Sequence, residues 1–518
     1  MNKKIQLISL MLYPQFSNGG VDRVAGFLRS KGYSVDLTYF HNDNSLEEVI
    51  NNISYDYAYF GIYVDIKNVE RCIAMANHIK EKTGATIWFG GTYVASCFKD
   101  LFDDCFGVDY IILGGGEEPL QFLLSNEGKP EIEKHPNIAT RTSLEEKRFN
   151  ESTVFDYNIA EDYFIRYPAS RGFYSHCIQS KINTCSGKCV FCINWCMERD
   201  RLNFVFRSTD SIVNEIKRMY QAYGIRHFFF IDDDILDPDT REAKNRICEL
   251  CRAIIDCNMS ITITGYTKAN ALSDCKEDHE LLKLMNRAGF VSIFVGIESG
   301  SDSDLKVFNK QANIRNNKEI ITLLYNHNIK PEYEMITFHP YTTIDSLKEN
   351  YLFLRDIHSC NLRQYALTGV SIYQNTQLYQ MVKADGLLGT DYSYKNPDSY
   401  HYLHEDVAYM AKYIKDHFDR NEEISSLVNA DKMETYYYRF SRYSQSVRIL
   451  GEKVKKTRDD NYKLMEYIFE PLYVNNDYDL CNRRYNTFVE EYKHQVEVAQ
   501  NLINRMLKLS ILDQRGNK

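Results

Sequence analysis

The chain has no uninterrupted apolar run approaching the ~20 residues that cross a bilayer, so a helical membrane protein is not expected. It has no basic excess either. Lys and Arg number 62 against 71 Asp and Glu, and the formal net charge of -9 disfavours bulk binding to nucleic acid or to an anionic membrane. It has no internal repeat and no long low-complexity linker. A cleavable leader is not expected either. Met1-Asn2-Lys3-Lys4 opens with positive charge, but the apolar stretch from Ile5 stops at Pro14 and no small-residue cleavage site comes after it. That stretch reads as a buried strand, and the expected compartment is the cytosol.

What the chain does have is the composition of a soluble globular protein, 44% hydrophobic and 26% charged, with 14 cysteines. In a reducing compartment structural disulfides are not the default, so cysteines with a distinctive spacing point to metal or redox chemistry. Most of the others read as small buried apolar residues. Cys248, Cys251 and Cys257 fall in a helical stretch and belong to that group.

The first 125 or so residues alternate strand and helix patterns. Apolar runs at Ile5–Met11, Val35–Phe40, Tyr57–Tyr63, Thr86–Phe89 and Tyr110–Leu113 have the character of parallel strands covered on both faces. Gly90-Gly91 and Gly114-Gly115-Gly116 sit at strand carboxyl ends, where open α/β sheets bind ligands. The loop from Pro14 to Gly20 leads into a helix whose free amides face the same edge. From about Ser170 the alternation restarts, with strands expected at Ile225–Ile231, Ser260–Thr264, Val291–Gly296, Tyr333–Phe338 and Leu367–Tyr373, as in a full or partial barrel. Beyond about Gly386 the chain is rich in Tyr, Lys, Glu and Asn and keeps helical spacing at Val498, Leu502, Met506 and Leu509. The fold class expected is α/β in three parts. These are a doubly wound, Rossmann-like sheet over residues 1–165, a partial (β/α) barrel over 166–386 and a helical accessory segment over 387–518.

Thr184-Cys185-Ser186-Gly187-Lys188-Cys189-Val190-Phe191-Cys192 places three cysteines at Cys-x3-Cys-x2-Cys spacing. Small residues between them let the loop fold back so that three thiolates converge. An iron–sulfur cluster is normally held by four cysteines, so three leave one iron open to a substrate or cofactor. Phe191 would shield such a cluster from water. Zinc is a rival and wants a fourth ligand, for which Cys196 or Cys177 are candidates. Three merely buried thiols are the third reading, and a hydrophilic glycine-containing loop gives little reason for them.

The triplet resembles the signature of the radical S-adenosylmethionine (SAM) superfamily. The resemblance extends over about Arg171 to Gly386. It includes Phe230-Ile231-Asp232-Asp233-Asp234, Gly296-Ile297-Glu298-Ser299-Gly300-Ser301, Asn309-Lys310 and Tyr373-Gln374-Asn375-Thr376. Upstream, Gly90-Gly91-Thr92-Tyr93, Val108-Asp109-Tyr110 and Gly114-Gly115-Gly116-Glu117-Glu118 are similar to the N-terminal domain of the cobalamin-binding subfamily.

The resemblance implies a 4Fe–4S cluster on Cys185, Cys189 and Cys192 whose unique iron chelates the amino and carboxylate groups of SAM. One-electron reduction, by a donor such as flavodoxin or ferredoxin, then releases a 5′-deoxyadenosyl radical that abstracts hydrogen from the substrate. It further implies that Asp232, Asp233 and Asp234 meet the methionine ammonium, where charge-assisted hydrogen bonding suits a carboxylate. Glu298, with Ser299 beside it, would meet the ribose hydroxyls. Lys268 and Lys310 are candidates for the methionine carboxylate. Cobalamin would lie over Gly90, Gly91, Gly114, Gly115 and Gly116. Each polar residue also has an ordinary reading as a strand end or a solvated surface group.

The sequence departs from the family pattern in two places. Phe338-His339-Pro340-Tyr341-Thr342-Thr343 lacks the glycines and glutamate of the usual turn after the fifth strand, and His339 at that strand's end is placed either to face the site or to sit as a satisfied polar residue. No Asp-x-His-x-x-Gly occurs, so no lower-axial histidine is expected. The leading expectation is cobalamin-dependent methyl transfer to an unactivated carbon, or to phosphorus, of a natural-product or peptide substrate. The second is a non-methylating radical reaction such as cyclisation, ring rearrangement or oxidation, with or without cobalamin. The third is a zinc-stabilised α/β binding protein.

Overall fold

The computed structural model describes residues 4–11, 18–41, 44–144, 158–166, 175–182, 185–196, 204–237, 239–366, 368–419 and 430–516. Most of the loop expected from Pro14 lies outside them, as do Thr184, Leu367 and the side chain of Cys196.

The first sheet is built from β1 (Lys4–Met11), β2 (Ser34–His41), β3 (Tyr59–Tyr63), β4 (Thr86–Gly90), β5 (Tyr110–Ile112) and β6 (Ile138–Ala139). Its order is β2-β1-β3-β4-β5-β6, all parallel except β6, which runs antiparallel to β5. Successive strand side chains point to opposite faces, and the core divides accordingly. Ile5, Leu7, Tyr59, Trp88 and Ile112 enter one apolar cluster, while Ile8, Leu10, Phe60, Ile62, Ile87, Phe89 and Ile111 enter another. Burial on both faces explains the near-continuous apolar runs of the sequence. The first of these clusters continues through Tyr163 and Phe164 into Ile178 and Phe228, so the sheet shares a core with the middle of the chain.

The second sheet has five strands in the order β13-β12-β11-β10-β7, all parallel. They are β7 (Ser175–Ile178), β10 (His227–Phe230), β11 (Thr262–Lys268), β12 (Phe290–Glu298) and β13 (Lys330–Met335). Between β7 and β10 a small hairpin pairs β8 (Lys181–Ile182) with β9 (Val205–Phe206). The strand expected at Leu367–Tyr373 is reduced, among the described residues, to a single bridge between Phe338 and Gly369. β13 begins three residues before the expected Tyr333 because Lys330 and Glu332 are strand residues. Their charges hid them in the sequence, and a tertiary network gives them partners. Lys330 Nζ lies 2.7 Å from Glu332 and 2.8 Å from Asp431, and the Thr435 hydroxyl donates to Glu332.

Asp431 and Thr435 belong to the helix Ala430–Ser441, which closes the amino ends of the strands. Arg439 donates to Ser175 at the start of β7 (3.1 Å), and the Tyr443 hydroxyl lies 3.2 Å from His227 at the start of β10. The long helices Gly451–Asn475 and Tyr478–Gly516 pack on each other, and the first of them packs on the helix Ile344–Asp356. With the amino ends plugged, the carboxyl ends remain for chemistry. Residues 387–402 are not helical; they pack beside Val190 of the cysteine loop and, through Tyr394, on the first sheet.

Candidate active site

The carboxyl ends of the two sheets meet. At the end of β4, Gly91 has φ 118°, and a Cβ there would fall 2.7 Å from the Val64 carbonyl oxygen and about as close to the Tyr63 ring, so only glycine fits. A Cβ on Gly90 would meet nothing within 4 Å, so open space lies over the strand end. Gly114, also at positive φ, lies two residues past the end of β5, and Gly116 leaves room for Val24. Glu117, which begins the next helix, is buried against Arg23 at 2.6 Å.

Facing this edge is the cysteine loop. Tyr93 donates its hydroxyl to the Tyr394 carbonyl and packs edge-on against Tyr373, with ring centroids 6.1 Å apart. Tyr373 is in electrostatic reach of both Cys192 and Asp65, the latter just past β3. The Asn375 amide donates to Ser96 O at 2.8 Å, and the Tyr394 hydroxyl to Asp104 at 2.7 Å. On the other side Gly19, at the start of the helix Gly19–Ser30, closes on Cys177 and Ile231, the residue before Asp232. Cys177 is therefore packed into this junction.

Within the loop, Gly187 sits between two sulfurs. A Cβ there would lie 3.1 Å from Cys185 Sγ and 3.9 Å from Cys189 Sγ, and the Gly187 amide donates to Cys185 Sγ at 3.2 Å. Neighbours clamp the rest. Val190 N donates to Phe308 O at 3.0 Å, the Asn309 side chain donates to Lys188 O at 3.0 Å, and Leu378 N donates to Val190 O at 2.9 Å. Phe191 packs edge-on to Phe308, which packs edge-on to His339. His339 is fully buried, so it supports this aromatic stack and does not open onto the site. Burial pushes the Cys185 and Cys192 thiols up to about 12 and raises Cys189 as well. Such thiols stay protonated unless a metal takes the place of the proton. Among the described residues no three of His, Cys, Asp and Glu gather as ligands of one ion. A cluster makes no such demand, since each thiolate binds its own iron.

The three consecutive aspartates part ways. Asp232 is buried and accepts from the Ser180 and Lys181 amides at 3.0–3.2 Å, which ties β10 to the loop after β7. Asp233 accepts from the Asn194 amide at 2.8 Å, just past Cys192. Asp234 uses one oxygen for Leu236 N (3.0 Å) and the Thr267 hydroxyl (2.9 Å), while its Oδ2 is buried without a hydrogen-bond partner. An orphaned carboxylate oxygen is costly unless a donor arrives, and a ligand ammonium is such a donor.

Lys268 Nζ lies 3.7 Å from that oxygen and spends two donors on Ser186 Oγ (2.9 Å) and Asp237 Oδ1 (2.7 Å). An ammonium has three donors, so one is left for a ligand. Burial works against the Lys268 charge, but Asp234 and Asp237 outweigh it and its pKa is raised. Glu298 stands at positive φ at the end of β12, 3.0 Å from Lys310 Nζ. Burial also opposes the Lys310 charge, and Glu298 outweighs it, so its pKa too is raised. Gly296 makes this pairing sterically feasible, because a Cβ would come 2.8 Å from Lys310 Nζ. Ser299 is fully buried and bonds Asp304 (3.0 Å) and Asn350 (2.8 Å), fixing the turn beyond Glu298.

Sequence reading missed Asp237. It is buried and bonds both the amide and the hydroxyl of Ser186, next to Cys185. The only signal was one more carboxylate shortly after an acidic strand end.

Residues 180–354 match the Radical SAM superfamily model. The anaerobic magnesium-protoporphyrin IX monomethyl ester cyclase of Cereibacter sphaeroides is 23% identical over 372 residues, 66% of this chain and 58% of that protein. The cyclase of the same name from Rubrivivax gelatinosus is 22% identical over 379 residues, 67% of this chain and 65% of that protein. The chain thus spans less than two thirds of either relative. Among solved structures, the cobalamin-dependent SAM radical enzyme OxsB with aqua-cobalamin and SAM bound superposes with TM-score 0.69 at 16% identity, covering 99% of this chain and 81% of that one. The radical SAM methyltransferase TsrM from Kitasatospora setae, with cobalamin and a 4Fe–4S cluster bound, gives TM-score 0.57 at 16% identity over 78% and 83%. At these identities the likeness is one of fold.

Proposed function

We propose that the chain is a radical SAM enzyme that pairs a cluster on Cys185, Cys189 and Cys192 with a cobalamin on the first sheet to carry out a non-methylating radical reaction on a small organic or peptide substrate. When bound and reduced, the cluster supplies the electron that cleaves SAM to methionine and a 5′-deoxyadenosyl radical. The chain's own residues hold and orient. Asp234 Oδ2 is the acceptor for the methionine ammonium, and Lys268 keeps a donor for its carboxylate. Glu298 accepts from the ribose hydroxyls, and Lys310 holds its carboxylate in place. Phe191 and Phe308 keep water from the cluster.

The observation that carries the cobalamin part is the meeting of the glycine edge with the cysteine loop through Tyr93, Tyr373 and Tyr394. A flat corrin needs side-chain-free backbone, and Gly90 leaves open space there. The choice of a ring-forming or oxidative outcome over methyl transfer rests on the cyclase relatives. Methyl transfer is the second reading, supported by the TsrM-like fold.

Product analysis decides between them. Anaerobically reconstituted protein with SAM and a reductant should form 5′-deoxyadenosine and methionine without S-adenosylhomocysteine. Stoichiometric S-adenosylhomocysteine would reverse the choice. Loss of all corrin on desalting would remove cobalamin from the proposal.

A further inference from the structure

Two histidines play no part in the site above. His279 lies in the helix Lys276–Ala288 and His327 caps the helix Ile314–Asn326. His279 Nδ1 and His327 Nε2 face each other at 3.2 Å, with ring centroids 5.0 Å apart. The opposite nitrogens are both committed. His279 Nε2 is 2.7 Å from Asp274 Oδ1, and His327 Nδ1 is 2.8 Å from the Leu323 carbonyl oxygen.

A carboxylate and a carbonyl only accept, so each of those outer nitrogens carries the hydrogen. In a neutral imidazole the other nitrogen is then a bare lone pair. Two lone pairs therefore face each other at 3.2 Å, an arrangement that calls for a metal ion or a proton. The outer contacts are those of metal-bound histidine, which normally donates its second N–H to a carboxylate or a backbone carbonyl and so has its tautomer fixed. The spacing fits as well. An ion about 2.0–2.1 Å from each nitrogen would see them at roughly 100–105°, close to a tetrahedral angle.

We infer that His279 and His327 form a binding site for a divalent transition-metal ion of the zinc class, with Asp274 as the group that orients His279. Imidazole pairs suit zinc, copper and nickel. Among the described residues no third His, Cys, Asp or Glu joins the pair, so water completes the coordination and the ion is exchangeable. His279 keeps about a third of its side-chain surface, 34%, which gives the ion a way in. The ion would clip two neighbouring barrel helices together.

Untagged, cluster-loaded protein is dialysed anaerobically against micromolar zinc chloride, and zinc and iron are counted by mass spectrometry. Wild type should hold one zinc ion per chain more than His279→Gln or His327→Gln, with iron equal in all three. Asp274→Asn should bind that ion about 10–100-fold more weakly. Equal zinc in wild type and His279→Gln would overturn the site and leave a shared proton between the rings. Should the buried His327 variant fail to fold, His279→Gln, a partly exposed change, suffices for the decision.

Discussion

Asp237 and Ser186 are joined twice: the amide and the hydroxyl of the residue after Cys185 both donate to one buried carboxylate. That carboxylate also holds Lys268 at 2.7 Å, so one aspartate fixes the cysteine loop and a ligand-facing cation together. Asp237→Ala should leave Lys268 without its partner and release the loop. The expected loss is on the order of 3 kcal/mol, read by anaerobic denaturant unfolding. Iron content after reconstitution should fall with it. Full iron and unchanged stability would show that the clamp is dispensable.

The cysteines divide cleanly. Cys185→Ala, Cys189→Ala and Cys192→Ala should each lose the cluster and all SAM cleavage, because an under-coordinated cluster does not persist. Cys248→Ala, Cys251→Ala and Cys257→Ala should keep their iron. Iron analysis and the visible absorption band report both outcomes.

Glu298→Gln removes the charge opposite Lys310 and one of the two acceptor oxygens proposed for the ribose. SAM affinity should drop by about 1–3 kcal/mol with iron unchanged, measured by equilibrium dialysis. Affinity equal to wild type would remove Glu298 from the nucleoside site.

Corrin retention tests the first sheet. Gly90→Ala adds a methyl group into open space and should fold normally, yet it should lower the cobalamin retained after desalting while the iron–sulfur band stays. Gly91→Val should lower it further, since φ 118° and the Val64 carbonyl both oppose a side chain. Gly115→Val is expected to act in the same direction. Equal retention in Gly90→Ala and wild type would place the corrin elsewhere.

A buried acid sets a pH dependence. Burial raises Asp22 to about 8, although the Tyr39 hydroxyl bonds it. Its folded pKa exceeds its unfolded value, so the folded state binds the extra proton. The stability it contributes is whole below about pH 4 and is lost as pH rises toward 8, by at most about 1.4 kcal/mol per unit. Asp22→Asn should therefore gain on wild type between pH 6 and pH 8 in denaturant midpoint. A pH-independent difference would mean that Asp22 stays ionised.

The amino-acid sequence by itself determined what depends on neighbours along the chain. The spacing of Cys185, Cys189 and Cys192 sets a loop that can gather three thiolates. The apolar runs of β1, β3 and β4 report burial on two faces, and glycines at strand ends mark side-chain-free backbone. Tertiary structure decided what depends on residues far apart in the chain. Asp232, Asp233 and Asp234 are chemically alike in sequence. Folding gives the first to backbone amides and the second to the Asn194 side chain, and leaves the third with an oxygen that accepts no hydrogen bond. Lys330 and Glu332 look like surface residues until folding pairs them with each other and brings Asp431 to the lysine inside the barrel's closed end. His279 and His327 are 48 positions apart, and only the packing of two helices brings their rings together. Charge and hydrogen-bond partners act over a few ångströms of space, whatever the distance along the chain, and so they become legible only once the chain has folded.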